Sequence, residues 1–143
     1  MSDKHSAKTR ILFSADETGH SMGYHVIASA LTEAGLEVVL AGPQIPREIA
    51  EAAIQEDVDI IAYRIMAAHA PTVVSRLLAT LKARGAEDIP IVVGGALLPP
   101  EVEQLKAMGI SGIFPTGSPL PAVVQYFRDL SMKMPEKVGP PGA

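Results

Sequence analysis

Five apolar runs alternate along this chain with five segments of helical spacing, and joints of only a few residues separate them. Crossovers between parallel strands are right-handed and place helices on both faces of a sheet. The alternation therefore predicts a five-stranded parallel sheet covered by helices on both sides. The third apolar run, Val58–Tyr63, has no polar alternation. This is expected of a strand that is buried on both faces.

Glycine and proline mark the ends of the predicted elements. Gly35 and Gly85 end two helical patterns, and Pro46 and Pro71 begin two others. The predicted strands are Thr9–Ala15, Glu37–Ala41, Val58–Tyr63, Ile89–Val93 and Ser111–Phe114. The predicted helices are Ser21–Ala34, Pro46–Glu56, Pro71–Lys82, Pro99–Met108 and Pro119–Leu130. We expect a single doubly wound α/β domain over residues 9–132, flavodoxin-like (Rossmann-like) with strand order 2-1-3-4-5, between flexible segments 1–8 and 133–143.

Composition excludes several classes of function. The chain of 143 residues has no cysteine, a net charge of −4 and no basic cluster. Disulfides and thiolate metal sites are therefore impossible, and sequence-independent nucleic-acid binding lacks the positive charge that it needs. No apolar run approaches the length that spans a bilayer, and residues 1–9 lack the apolar core of a signal peptide. We expect a cytoplasmic protein with neither a nucleic-acid nor a membrane partner.

The candidate site lies in the loops that follow the strands. In sheets of this order, ligands bind at the carboxyl ends of the strands, near the reversal between strands one and three. Four loops meet there: Asp16–Gly23, Arg64–Ala70, Gly94–Leu98 and Pro115–Ser118. His20, in the first loop, can donate a ring nitrogen to a metal. An exposed loop histidine is the alternative, because no second ligand is nearby.

The motif around this histidine is Thr18, Gly19, His20, Ser21, Met22 and Gly23. It is similar to the D-x-H-x-x-G motif of the cobalamin-binding domain of methylmalonyl-CoA mutase and related B12-dependent isomerases. The segments V-V-G-G-A-L-L-P-P and M-G-I-S-G-I-F-P-T-G-S also resemble that family in order and spacing. The resemblance extends from about Thr9 to Leu130.

The resemblance implies that His20 is the lower axial ligand of a cobalamin cobalt, held base-off. The displaced dimethylbenzimidazole tail would enter a slot between the sheet and its helices. The implied cofactor-binding residues are Thr18, Gly19, His20, Ser21, Met22, Gly23, Arg64, Met66, Gly94, Gly95, Thr116, Gly117 and Ser118. Glycine would let the tail approach the backbone, and the hydroxyls of Thr116 and Ser118 would bond its phosphate or ribose. For Gly94-Gly95, a simple tight turn is the alternative.

Three positions depart from the family pattern. Thr18 replaces the acidic residue two places before the histidine, and Ser14 replaces a lysine. Arg64-Ile65-Met66 replaces S-x-L after the third strand, whose serine usually bonds the benzimidazole. The larger arginine would block the slot, point out of it, or pair with the phosphate of the tail.

The resemblance implies a cobalamin-binding small subunit of an adenosylcobalamin-dependent acyl-CoA mutase, with no catalytic residue of its own. A separate large subunit would then bind the acyl-CoA, and homo-oligomers are a further expectation. The alternative is a non-catalytic cobalamin sensor or regulatory module of the same fold, which the departures at Thr18 and Arg64 favour. A phosphate-receiving signalling domain is disfavoured, because strand three ends in Tyr63-Arg64 instead of an aspartate.

Overall fold

The computed structural model describes residues 8–19 and 21–135. Its strands are β1 (Arg10–Ala15), β2 (Glu37–Pro43), β3 (Ile60–Ile65), β4 (Ile91–Gly95) and β5 (Gly112–Pro115). Its helices are α1 (Ser21–Glu33), α2 (Pro46–Gln55), α3 (Ala70–Ala83), α4 (Pro99–Ala107) and α5 (Leu120–Met132). All neighbouring strands are parallel, in the order β2-β1-β3-β4-β5. The predicted flavodoxin-like fold is thus confirmed.

Two apolar layers hold the helices against the sheet. One face packs against α1 and α5, and Phe13 and Val92 belong to its core. The other face packs against α2, α3 and α4, with Leu12 and Ile61 in its core. Successive residues of a strand point to opposite faces, so the central strand β3 contributes to both layers. This explains why its sequence is apolar without alternation.

All strands except β1 extend further at their carboxyl ends than the sequence predicted, and β2 reaches Pro43 and β5 reaches Pro115. β3 begins at Ile60 and continues through Arg64 to Ile65, where the prediction ended at Tyr63. β4 likewise includes Gly94 and Gly95, which the sequence placed in a loop. The backbone stays extended because Arg64 is paired on both sides, with Ala15 of β1 and with Gly94 of β4. These residues therefore occupy fixed positions on strands.

Some predictions concern residues that the structure does not describe. His20 and most of the two predicted flexible segments lie outside the described residues. Within the described part of the chain, no helix has both the length and the apolar character needed to span a bilayer.

Candidate functional site

A cavity of about 290 Å³ lies between the sheet and helices α1 and α5, at the carboxyl ends of the strands. We call it the α1–α5 cavity. Seven of the thirteen residues that the sequence assigned to a cofactor line it: Gly23, Arg64, Gly94, Gly95, Thr116, Gly117 and Ser118. Its apolar wall includes Phe13, Val26, Ile27, Leu31, Val92, Val123 and Phe127. The cavity is therefore apolar over most of its lining, and Arg64 is the charged side chain among its lining residues.

Positions 94 and 95, which end β4, are occupied by glycine for different structural reasons. A Cβ placed on Gly94 would lie 3.2 Å from the carbonyl oxygen of Phe114. Gly94 lines the cavity, so its missing side chain leaves space there. A Cβ on Gly95 would lie only 2.0 Å from the carbonyl oxygen of Ile65, and Gly95 has φ +125°. Gly95 is thus required by the close approach of β3, whether or not a ligand is bound.

A second cavity, of about 280 Å³, adjoins the β1–α1 loop and β2. Three more of the predicted site residues line it: Thr18, Ser21 and Met66. Arg64 lines both cavities and so stands between them. Gly19 and Met22 are not among the lining residues of either cavity, and the side chain of Met22 is 81% exposed. The candidate metal ligand His20 is outside the described residues.

Asp16 connects the loop after β1 to the loop after β3, a role that the sequence did not predict. Its Oδ1 accepts a hydrogen bond of 2.8 Å from the backbone N–H of Met66. Its Oδ2 accepts two more, of 2.8 Å from Ala67 and 2.7 Å from Ala68. Three backbone donors on one carboxylate fix the position of Met66 at the second cavity. The sequence contained only a weak signal for this, an aspartate directly after a buried strand.

Some polar groups at the edge of the α1–α5 cavity already form hydrogen bonds within the chain. The Ser118 hydroxyl donates a hydrogen bond of 2.7 Å to the Pro115 carbonyl, so its oxygen is left to accept one from a ligand. Thr116 is exposed. The exposed His69 bonds Thr72 through Nδ1 at 2.7 Å, and its Nε2 lies 3.8 Å from the Glu101 carboxylate.

Two buried tyrosines border the site from within the fold. Burial, and to a smaller extent the nearby Asp16 carboxylate, raises the pKa of Tyr63 to about 12. Burial also raises the pKa of Tyr24. The Tyr24 hydroxyl donates to the Phe13 carbonyl at 2.5 Å and accepts from the Gly42 N–H at 2.9 Å. Both phenols therefore stay protonated at neutral pH.

Comparison with known proteins identifies the family. Residues 9–124 match the B12-binding domain family. The chain is 41% identical over 107 residues to a methylmalonyl-CoA mutase large subunit of Streptomyces virginiae, covering 73% of this chain and 14% of that protein. It is 36% identical over 124 residues to mitochondrial methylmalonyl-CoA mutase of Mus musculus, covering 85% of this chain and 16% of that protein. The chain thus spans only a small part of these two relatives.

A shorter relative is matched over most of its length. The chain is 30% identical over 113 residues to the 2-hydroxyisobutanoyl-CoA mutase small subunit of Aquincola tertiaricarbonis, covering 78% of this chain and 83% of that protein.

Solved structures agree on the fold. A cobalamin-binding protein of Desulfitobacterium hafniense aligns with a TM-score of 0.69 at 18% identity, over 85% of this chain and 58% of that chain. A response regulator of Desulfuromonas acetoxidans aligns with a TM-score of 0.67, also at 18% identity, over 87% of this chain and 98% of that chain. Fold alone therefore does not separate these classes, whereas the sequence matches do. The chain belongs to the B12-binding domain family and is homologous to the methylmalonyl-CoA mutases and to the 2-hydroxyisobutanoyl-CoA mutase small subunit.

Proposed function

We propose that this chain is the cobalamin-binding small subunit of an adenosylcobalamin-dependent acyl-CoA mutase, and that a separate large subunit binds the acyl-CoA substrate. The observation that supports this most is the α1–α5 cavity, which gathers seven residues that the family resemblance assigns to the cofactor. The small-subunit role is supported by the similarity to the 2-hydroxyisobutanoyl-CoA mutase small subunit.

The α1–α5 cavity fits the nucleotide tail of a cobalamin. Its volume of about 290 Å³ lies just below the range for pockets that hold small molecules, about 300–1,000 Å³, and suits the heterocyclic ring of such a tail. The apolar wall, with Val26, Leu31 and Phe127, suits a heterocycle, and the hydroxyls of Thr116 and Ser118 suit a sugar or phosphate. The residues present therefore match the chemistry of such a tail.

In this proposal the chain holds the cofactor and supplies no catalytic group. His20 would bind the cobalt in place of the benzimidazole, as the family motif implies. The walls of the α1–α5 cavity would keep water away from the displaced heterocycle. When bound, the cofactor supplies the radical chemistry of its cobalt–carbon bond.

The axial role of His20 is tested by the hyperfine pattern of the cobalt. Purified protein labelled uniformly with ¹⁵N is mixed with unlabelled cob(II)alamin, and electron paramagnetic resonance spectra are recorded. A ligand nitrogen from the protein then splits each cobalt line into a doublet, because ¹⁵N has nuclear spin one half, whereas the unlabelled benzimidazole would give triplets. We expect doublets for wild type and their loss in His20→Ala. In parallel, the base-off absorbance shift of hydroxocobalamin should be lost in His20→Ala.

A second histidine variant provides the control. His69 is exposed and bonds Thr72, so His69→Ala should keep the doublets. Triplets in the labelled wild-type protein would mean that benzimidazole stays on the cobalt, and the assignment of His20 would be wrong. Absence of any spectral change on adding cobalamin would contradict the proposed function itself.

A cobalamin-dependent sensor or regulatory module is the second candidate. Arg64, where the family has a serine, favours it because a long cationic side chain lines the proposed tail cavity. The two candidates differ in their partner. For a mutase subunit, the tagged chain recovered from its own cells should bring an acyl-CoA mutase large subunit, in equal amount, in the presence of adenosylcobalamin. A sensor module should not.

A further inference from the structure

Arg64 extends from the sheet to helix α1 at the edge of the α1–α5 cavity. Its strand neighbours in register are Ala15 and Gly94, which have small side chains or none. A Cβ placed on Gly23, in the first turn of α1, would lie 2.8 Å from both Nη atoms of Arg64 and 3.0 Å from its Cζ. The guanidinium therefore lies directly against the α1 backbone, and the glycine makes this possible.

Among the residues that the structure describes, none supplies an acceptor to the guanidinium. Its Nε is buried and has no hydrogen-bond partner in this part of the chain. Within residues 8–19 and 21–135, no carboxylate lies within salt-bridge distance of Arg64. A buried donor without a partner is unfavourable, so an oxygen-bearing group that reached it would gain the full hydrogen-bond energy. The position therefore has the donors that an anion requires.

The surroundings of Arg64 restrict which anion fits. Farther into the cavity the lining is apolar, with Phe13, Val92 and Phe127, and could not accommodate a second charge. A ligand that satisfies both regions has one anionic group beside a flat, uncharged ring. The planar fork of a guanidinium matches the two free oxygens of a phosphodiester.

We propose that Arg64 is a specificity-determining residue, which binds the phosphodiester of a corrinoid's nucleotide tail and so selects corrinoids that have this tail. The inference rests on the proposed function, because it takes a corrinoid as the ligand. It assigns to Arg64 a charge-assisted hydrogen bond. A serine at the same position could not make this bond, because its side chain carries no positive charge. The opposite role, a side chain that obstructs the cavity, predicts the opposite change on truncation.

The test compares two corrinoids on four proteins. Hydroxocobalamin has the phosphodiester, ribose and base, and diaquacobinamide lacks all three. Dissociation constants for both are measured by absorbance titration with wild type, Arg64→Ser, Arg64→Gln and Arg64→Lys. We expect Arg64→Ser and Arg64→Gln to bind hydroxocobalamin about 10- to 100-fold more weakly, as the loss of a charge-assisted bond implies. Arg64→Lys should lose less, and the affinity for cobinamide should change less than threefold throughout.

Two controls separate recognition from folding. Arg76 is an exposed arginine on α3, on the other face of the sheet, so Arg76→Ser should leave both affinities unchanged. Thermal unfolding of each Arg64 variant, measured without ligand, shows whether the fold is intact. If cobinamide binds too weakly to measure, the order of the affinities for hydroxocobalamin still decides. We expect wild type to bind most tightly, then Arg64→Lys, and then Arg64→Gln and Arg64→Ser, because this order follows charge and not size.

Three results would overturn the inference. Tighter binding of hydroxocobalamin by Arg64→Ser would mean that the arginine obstructs the cavity. Unchanged binding in Arg64→Ser and Arg64→Gln, with wild type binding normally, would refute the role of Arg64 while leaving the proposed function intact. Failure of wild type to bind either corrinoid would refute both.

Discussion

Asp16 is a single residue that joins two loops of the site. Its carboxylate accepts three backbone hydrogen bonds from residues 66–68, so both oxygens act only as acceptors. An asparagine has one acceptor oxygen, and its NH₂ group would face at least one of these N–H donors. The substitution Asp16→Asn thus preserves size while removing part of the connection.

We expect Asp16→Asn to lower the free energy of unfolding by about 1–3 kcal/mol, the usual cost of leaving donors unsatisfied. Urea denaturation measures the change. Asp88→Asn, at an exposed position in the loop before β4, is the matched control and should alter stability by less than about 0.5 kcal/mol. Equal stability of the two variants would mean that the three hydrogen bonds stabilise the fold no more than the hydrogen bonds to water that the same groups make in the unfolded chain.

Sequence reasoning could not have found this role of Asp16. The donors that bond it belong to a loop far along the chain, and only the parallel pairing of β1 with β3 brings the two loops together. Arg64 is a comparable case. A charged residue after an apolar run normally indicates the end of a strand, yet β3 continues to Ile65 because strands pair with it on both sides.

At the scale of elements, the end of β4 depends on Gly95. A side chain at this position would require an L-residue at φ +125° and would place a Cβ 2.0 Å from the Ile65 carbonyl oxygen. Backbone strain and overpacking each cost about 1–3 kcal/mol. Gly85, which follows α3, also has a positive φ of +71°, but a Cβ there would meet no atom within 4 Å.

Comparing Gly95 with Gly85 therefore separates the cost of backbone strain from the cost of steric overlap. We expect Gly95→Ala to destabilise the protein by about 2–5 kcal/mol, and Gly85→Ala by about 1–2 kcal/mol through conformational strain alone. Guanidinium chloride denaturation of the two variants gives both values. The free energy of unfolding should depend on denaturant concentration with the same slope in both. A Gly95→Ala variant no less stable than Gly85→Ala would indicate that β3 and β4 can separate at their ends without cost.

The elements themselves were predictable, and their ends were not. Helical spacing, together with proline at the start or glycine at the end, located all five helices, because these signals are local. The carboxyl ends of β2, β3 and β4 were missed by two residues each and that of β5 by one, since strand length depends on neighbouring strands. The shift matters for the proposed site, because it places Arg64 and Gly94 side by side on strands at the edge of the α1–α5 cavity.

At the scale of the whole molecule, the two faces of the sheet differ. The face covered by α1 and α5 contains the α1–α5 cavity. On the other face Ile49, Tyr63 and Leu77 belong to the larger apolar core, and a more open cavity lies at the outer edge of α2 and α3. Seven predicted site residues met in that one cavity because the resemblance fixed their positions relative to strand ends. The separation of Thr18, Ser21 and Met66 into a second cavity was not predictable, because the Arg64 side chain, which lines both cavities, reaches across to Gly23.

The packed face also determines how stability responds to alkaline pH. Tyr63 is 2% exposed, and burial raises its pKa to about 12, from 10.0 in an unperturbed tyrosine. Between these values the folded state holds the phenol proton while the unfolded chain releases it. The free energy of unfolding therefore decreases as pH rises through this range, by about 2 kcal/mol at pH 12 from Tyr63 alone.

Tyr63→Phe isolates this contribution, because it keeps the ring and removes the ionisable group. Unfolding by urea is measured for wild type and variant at pH 8 and at several values between pH 10 and 12. Both proteins will lose stability as Tyr24 titrates, because burial raises its pKa too, but the loss should be smaller in Tyr63→Phe, with a difference that grows with pH. Parallel losses in the two proteins would mean that Tyr63 ionises in the folded state as readily as in the unfolded chain, and that its hydroxyl is not enclosed by the α2 and α3 side of the core.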